Sequence, residues 1–173
     1  MADDPFERDH APVPGVVETL APGLRVVTAG NPGPMTFTGT RSYILGEGRV
    51  AVIDPGPADA AHLAALVTAV AGERVVAVLV THAHRDHSGG ARAFAERVAA
   101  PLLAHGDPAG ARSAAMARLA AEGLLGALPK RNSPLMAFTD TPNGPSPRNG
   151  LISWRHSPLW FVVALALGTA GAL

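Results

Sequence analysis

The chain has 173 residues, enough for one modest domain with a true core, and 14 basic residues balance 14 acidic ones to zero formal net charge. That balance gives no support to electrostatic capture of nucleic acid, although a local basic patch stays open. No cysteine is present, which excludes a disulfide framework, a thiolate metal ligand and a cysteine nucleophile.

Residues 1–22 are polar and punctuated by proline, and read as a loose lead-in. The acidic start Met1-Ala2-Asp3-Asp4-Pro5 carries no apolar stretch, so no secretory signal is visible and a cytoplasmic address is the default expectation. Residues 24–27 predict a short strand, and Asn31-Pro32-Gly33-Pro34 a turn. The apolar runs 43–45 and 50–53 flank Gly46-Glu47-Gly48 as a hairpin, which Asp54-Pro55-Gly56-Pro57 then stops. A helix follows over 58–71, because Leu63, Leu66, Val67 and Val70 recur at i, i+3, i+4 and i+7 before Gly72. Residues 75–80 are apolar without alternation, as a strand covered on both faces requires. Ser88 is suited to cap a helix that turns Phe94, Ala95 and Val98 inward. Residues 101–104 form a further short strand, and Asp107-Pro108 opens a helix running to Glu122 before Gly123. Alternating strands and helices from 50 to 123 predict α/β layering.

The chemistry concentrates in Thr81-His82-Ala83-His84-Arg85-Asp86-His87, which holds three of the seven histidines. Imidazole and carboxylate are the ligand types that bind zinc and similar ions. In an extended stretch side chains two apart point the same way, so His82 and His84 can share one ion. Asp86 and His87 fall on the following turn and can face a second. The alternative is a solvated His-rich turn. His10, His62 and His105 each have a plainer reading, as tail, helix surface and strand end.

After Gly123 the composition changes. Residues 130–150 are dense in Pro, Asn and Ser, Asp140 is the only acidic residue after Glu122, and both tryptophans fall in the last 20 positions. The chain closes on the apolar stretch 158–173.

The motif at His82, His84, Asp86 and His87, with Ser88-Gly89-Gly90, resembles that of the metallo-beta-lactamase superfamily of metal-dependent hydrolases. The Asp-Pro-Gly turn at Asp54 is similar to the one preceding that motif in the family. Asn31-Pro32-Gly33-Pro34-Met35-Thr36, Gly39-Thr40 and Tyr43 resemble the opening of the beta-lactamase-like protein 2 branch, which includes an endoribonuclease. The resemblance covers residues 15–125 and implies an αββα sandwich, here incomplete, with the family domain over 23–127 and an atypical segment over 128–173. It implies that His82 and His84 hold a first zinc, that Asp86 and His87 hold a second, and that Asp54 stands beside the site without ligating. As residue chemistry alone, Asp54 reads equally well as a turn former. Asp86 would also orient a metal-activated water, so the implied activity is hydrolysis of a small-molecule ester, thioester or phosphodiester. RNA stays open, without support from the charge.

The family also uses a third histidine, in a Thr-Pro-Gly-His motif, and a bridging aspartate. The nearest counterpart is His156-Ser157-Pro158-Leu159-Trp160, with Trp160 in the ligand's place, and His156 reads as a surface or loop residue. The expectation is a truncated chain, with 128–161 drawn from a shifted reading frame. Reading the DNA in the other two frames for Thr-Pro-Gly-His tests it. Two alternatives stand beside the hydrolase: a weakly metal-binding, inactive fragment, and a membrane protein anchored by its tail. Sixteen terminal residues span about 24 Å as a helix, short of a hydrocarbon core of roughly 30 Å, so no membrane partner is favoured.

Overall fold

The computed structural model describes residues 11–104 and 117–124. Six strands form one sheet in the spatial order of the chain: β1 (Val17–Ala21), β2 (Leu24–Thr28), β3 (Arg41–Glu47), β4 (Arg49–Ile53), β5 (Arg74–Val80) and β6 (Leu102–Ala104). The first four strands pair antiparallel, while β4, β5 and β6 run parallel. This division follows from the connections. Gly23 and Gly48 take positive φ (70° and 68°) in tight reversals, whereas each parallel pair is joined through helix. Helix α1 (Ala60–Ala69) links β4 to β5, and α2 (Arg85–Ser88) and α3 (Ala91–Arg97) link β5 to β6. From Pro12 onward the described residues belong to one compact unit, Pro12–Leu128.

One core cluster joins the sheet to α1 and α3. Val27, Ile44, Val50, Val52, Val75 and Val78 supply the sheet side, and Leu63, Leu66, Val70, Phe94 and Ala95 the helix side. Val75 and Val78 are three apart, which a regular strand would turn to opposite faces. The register resolves this: Val50 pairs with Val75 but Ala51 pairs with Ala77, so Val76 is an extra residue that resets the phase. Its carbonyl accepts a bond from Arg118 Nε at 3.2 Å. Val26, Tyr43, Leu45, Ala51, Ile53, Ala77 and Leu79 are buried as well, so the sheet is covered on both faces, as the apolar run at 75–80 predicts. The described residues therefore make a mixed α/β unit consistent with part of a metallo-beta-lactamase fold.

Three local expectations need correction. Residues 17–21, expected within the loose lead-in, form edge strand β1, whose half-exposed side chains (Val17 is 39% exposed) carry little apolar alternation. Ser88 does not cap α3. It closes α2, where its Oγ donates to the carbonyls of Ala83 and His84, and Gly90 takes the cap position. His62 is not on a helix surface but is buried, at 2% exposure. It lies four residues before Leu66, on the same helix face. Helix α1 itself starts later than position 58, at a cap from Asp59, whose carboxylate accepts from Ala61 N and His62 N. The helix expected from Asp107 falls mostly outside the described residues, although 117–121 are helical and Gly123 follows with φ 71°. His10, His105, His156, Trp160 and the apolar stretch 158–173 also lie outside. Among the described residues no helix is long and apolar enough to cross a membrane.

Candidate metal centre

The cluster sits where β5 ends and α2 begins. Thr81-His82-Ala83-His84 runs out from the strand, and His84, extended at φ −61° and ψ 139°, occupies the cap position of α2. Asp86 and His87 follow within the first turn. This path gathers the three imidazoles: the His82 and His84 rings meet edge-on with centroids 4.8 Å apart, and those of His82 and His87 lie 4.2 Å apart. His87 Nε2 is 3.3 Å from Asp86 Oδ2. One ligand atom each from Asp54, His82 and His87 falls within 4.8 Å of the others. All five residues singled out from the sequence thus share one neighbourhood, with Asp54, His82 and His87 as its tightest group among the described residues. His84 is exposed.

Asp54 arrives from the end of β4. Its N–H donates to the Leu79 carbonyl at 2.8 Å and its φ is +50°, a left-handed conformation that aspartate tolerates better than most residues. That turn aims a fully buried carboxylate at the end of β5. Oδ1 accepts from Thr81 N at 2.7 Å, while Oδ2 accepts from Thr81 Oγ1 at 2.7 Å and from His87 Nδ1 at 3.0 Å.

These bonds fix the rings. The single Thr81 hydroxyl proton goes to Asp54, so Thr81 Oγ1 receives the bond from His82 Nδ1 at 2.9 Å. Asp54 can only accept, so His87 Nδ1 is also a donor. Both rings are therefore tied by Nδ1, which leaves His82 Nε2 for another partner and turns His87 Nε2 towards Asp86 Oδ2, an arrangement in which oriented imidazole and carboxylate can serve together as metal ligands. With its oxygens already engaged by Thr81 and His87, Asp54 is suited to orient ligands rather than to be one.

A second support comes from the 31–40 loop. Asn31 clamps Thr40 twice, donating from Nδ2 to Thr40 Oγ1 at 3.0 Å and accepting from Thr40 N at 2.9 Å. The Thr40 hydroxyl then faces Asp86 Oδ2 at 3.4 Å. The same loop exposes Met35 and Phe37. Beneath the site the 54–57 turn is bound to α2 and its exit, since Gly56 N donates to the His87 carbonyl and Gly90 N to the Gly56 carbonyl.

The environment divides the imidazoles electrically. Burial, helped by neighbouring His87, holds His82 below the ordinary value despite the charges of Asp54 and Asp86. Burial also presses on His87, but the hydrogen bond and charge of Asp54, with the charge of Asp86, outweigh it and hold that ring above its ordinary value. Thr81, Ser42 and His62 take part in this scaffold without having stood out as site residues in the sequence. Thr81 directly precedes the motif, and the helical period leading back from Leu66 points at His62.

The molecule is thus a mixed α/β unit that carries a His/Asp cluster at its strand ends. The family model described as the metallo-beta-lactamase superfamily matches residues 35–150, and the chain belongs to that superfamily. It is 40% identical over 77 residues to an atrochrysone carboxyl ACP thioesterase of Passalora fulva, covering 43% of this chain and 23% of the relative. A thioesterase of the same name from Aspergillus chevalieri is 41% identical over 83 residues, covering 46% and 26%. A beta-lactamase-like protein 2 homolog of Caenorhabditis elegans is 35% identical over 78 residues, covering 43% and 26%. The chain thus spans about a quarter of the length of these relatives. A crystal structure of a beta-lactamase domain protein from Burkholderia ambifaria covers 56% of this chain and 33% of its own, at 24% identity and a TM-score of 0.45.

Proposed function

We propose that this chain carries a zinc-dependent hydrolase centre acting on small-molecule thioesters. The observation that carries the reading is the bond path from His82 through Thr81 and Asp54 to His87, which orients both rings by Nδ1 and keeps one ligand atom of each residue of the Asp54, His82 and His87 group within 4.8 Å of the others. This donor set fits a divalent ion with a preference for nitrogen and oxygen ligands, as zinc has. His82 and His84 would hold one ion and Asp86 with His87 a second, while Asp54 orients His87 and, through Thr81, His82. When bound, zinc supplies a Lewis acid and lowers the pKa of water towards neutrality.

The chain's own groups divide the remaining work. Asp86, positioned beside the Thr40 hydroxyl, is placed to orient a water by accepting its hydrogen bond. Met35 and Phe37, exposed on the loop that carries Thr40, offer contact area to an apolar acyl group. A thiol leaves as a thiolate of pKa about 8.5, so it needs less help from a proton donor than an alkoxide would. The thioesterase relatives support this substrate class, and the zero net charge lends nothing to a polyanionic one.

Hydrolysis of an acyl-thioester probe by the full chain, with and without added zinc, tests the proposal. Zinc-dependent release of thiol that is lost in His82→Ala is the expected result. Zinc binding without thiol release would reduce the chain to a metal-binding module, and release indifferent to zinc and to His82 would remove the metal from the account.

A further inference from the structure

His62 lies outside the motif, yet it supports both residues on which the motif depends. It is buried on α1, with Nε2 2.8 Å from Ser42 Oγ. Ser42 in turn donates its only proton to the Asp54 carbonyl at 2.6 Å. The hydroxyl therefore has just lone pairs left for His62, and Nε2 must be the protonated ring nitrogen. Nδ1 then remains a bare acceptor, and it has no hydrogen-bond partner in its buried position. A buried unpaired nitrogen costs stability, so an aliphatic side chain would serve the core better than this histidine does.

The ring also touches the turn itself. A Cβ added at Gly56 would lie 2.8 Å from both Cδ2 and Nε2 of His62, so only glycine lets the 54–57 backbone rest on the imidazole. Gly56, at φ +82°, donates to the His87 carbonyl. One ring thus reaches Asp54 through Ser42 and His87 through Gly56.

We propose that neutral His62, protonated at Nε2, is a positioning residue for the centre at 82–87. It holds the left-handed Asp54 through Ser42 and fixes the height of the 54–57 turn through its ring. The proposal rests on reading that cluster as a metal centre, and its test separates the two.

The full chain is titrated with zinc alone, in competition with a chromophoric chelator, and nitrogen NMR spectra are recorded on the metal-free protein. The wild type is expected to show His62 protonated at Nε2. His62→Leu and Ser42→Ala should each weaken zinc binding about tenfold, in the range seen when groups behind metal ligands are removed. Both should also lose the hydrogen-bonded Nδ1 proton signal of His87. His62→Gln, whose amide nitrogen can donate to Ser42 from nearly the same place, should recover most of both. If His62→Leu does not fold, Ser42→Ala decides, because it keeps the ring under the turn. An Nδ1-protonated His62, or unchanged zinc affinity in the folded variants, overturns the proposal. A wild type that binds no zinc overturns the metal reading alone. The His87 proton signal then decides: its loss in Ser42→Ala supports the positioning role, and its persistence ends it.

Discussion

Asp54 is the residue on which the site's geometry turns. Its carboxylate meets three donors with distances of 2.7, 2.7 and 3.0 Å. Asp54→Ala would leave Thr81 and His87 without those bonds. A loss of roughly 1.5–3 kcal/mol in unfolding free energy is expected from losing these part-buried bonds to a charged acceptor. Zinc affinity should fall about 10–100-fold. Chemical denaturation and a zinc titration on the same protein check both. His62 yields a pH prediction of definite sign. Burial lowers its pKa below 6.5, with the Asp59 charge opposing. The unfolded chain therefore binds the proton first as pH falls. Stability from the neutral ring is fully present above about 6.5 and declines below it, until the folded-state ring also protonates. His87, held above its ordinary value, acts in the opposite sense. The contrast between wild type and His62→Gln cancels that contribution, so the wild type should lose stability relative to the variant as pH drops below 6.5. Equal pH profiles for the two proteins would contradict a buried neutral His62.

At the scale of elements, the packing of α1 on the sheet sets where the 54–57 turn and His62 lie. Leu66 is fully buried in the shared core, so Leu66→Ala should destabilise the chain by about 2–5 kcal/mol in a urea melt. Elements with strong periodicity were legible in the sequence: the helix carrying Leu63, Leu66 and Val70, and the apolar strand leading into the histidines. The cluster was legible too, because its ligand-type residues are local in sequence. Three features were not. Edge strand β1 is half exposed and bracketed by proline, so it lacks the alternation that marks a strand. The extra residue Val76 appears only once β5 is paired with β4. The bonds joining Asp54, Thr81 and Ser42 link residues 12 to 27 positions apart, and no local pattern encodes them.

On the scale of the whole molecule, the six-strand sheet with helices packed on it belongs to a metallo-beta-lactamase superfamily member. Its strand ends bring a turn from β4, a His-rich segment from β5 and a loop from between β2 and β3 to one place. That convergence is what turns a local string of histidines into a centre with oriented nitrogens. The central claim is that this centre binds zinc through His82 and His87, with Asp54 behind them. The most direct measurement is the zinc content of the purified full chain after dialysis against metal-free buffer, beside His82→Ala and His87→Ala. At least one zinc per wild-type chain, with a lower zinc content in each variant, is the predicted result. Wild type without zinc, or variants that retain it in full, would contradict the account.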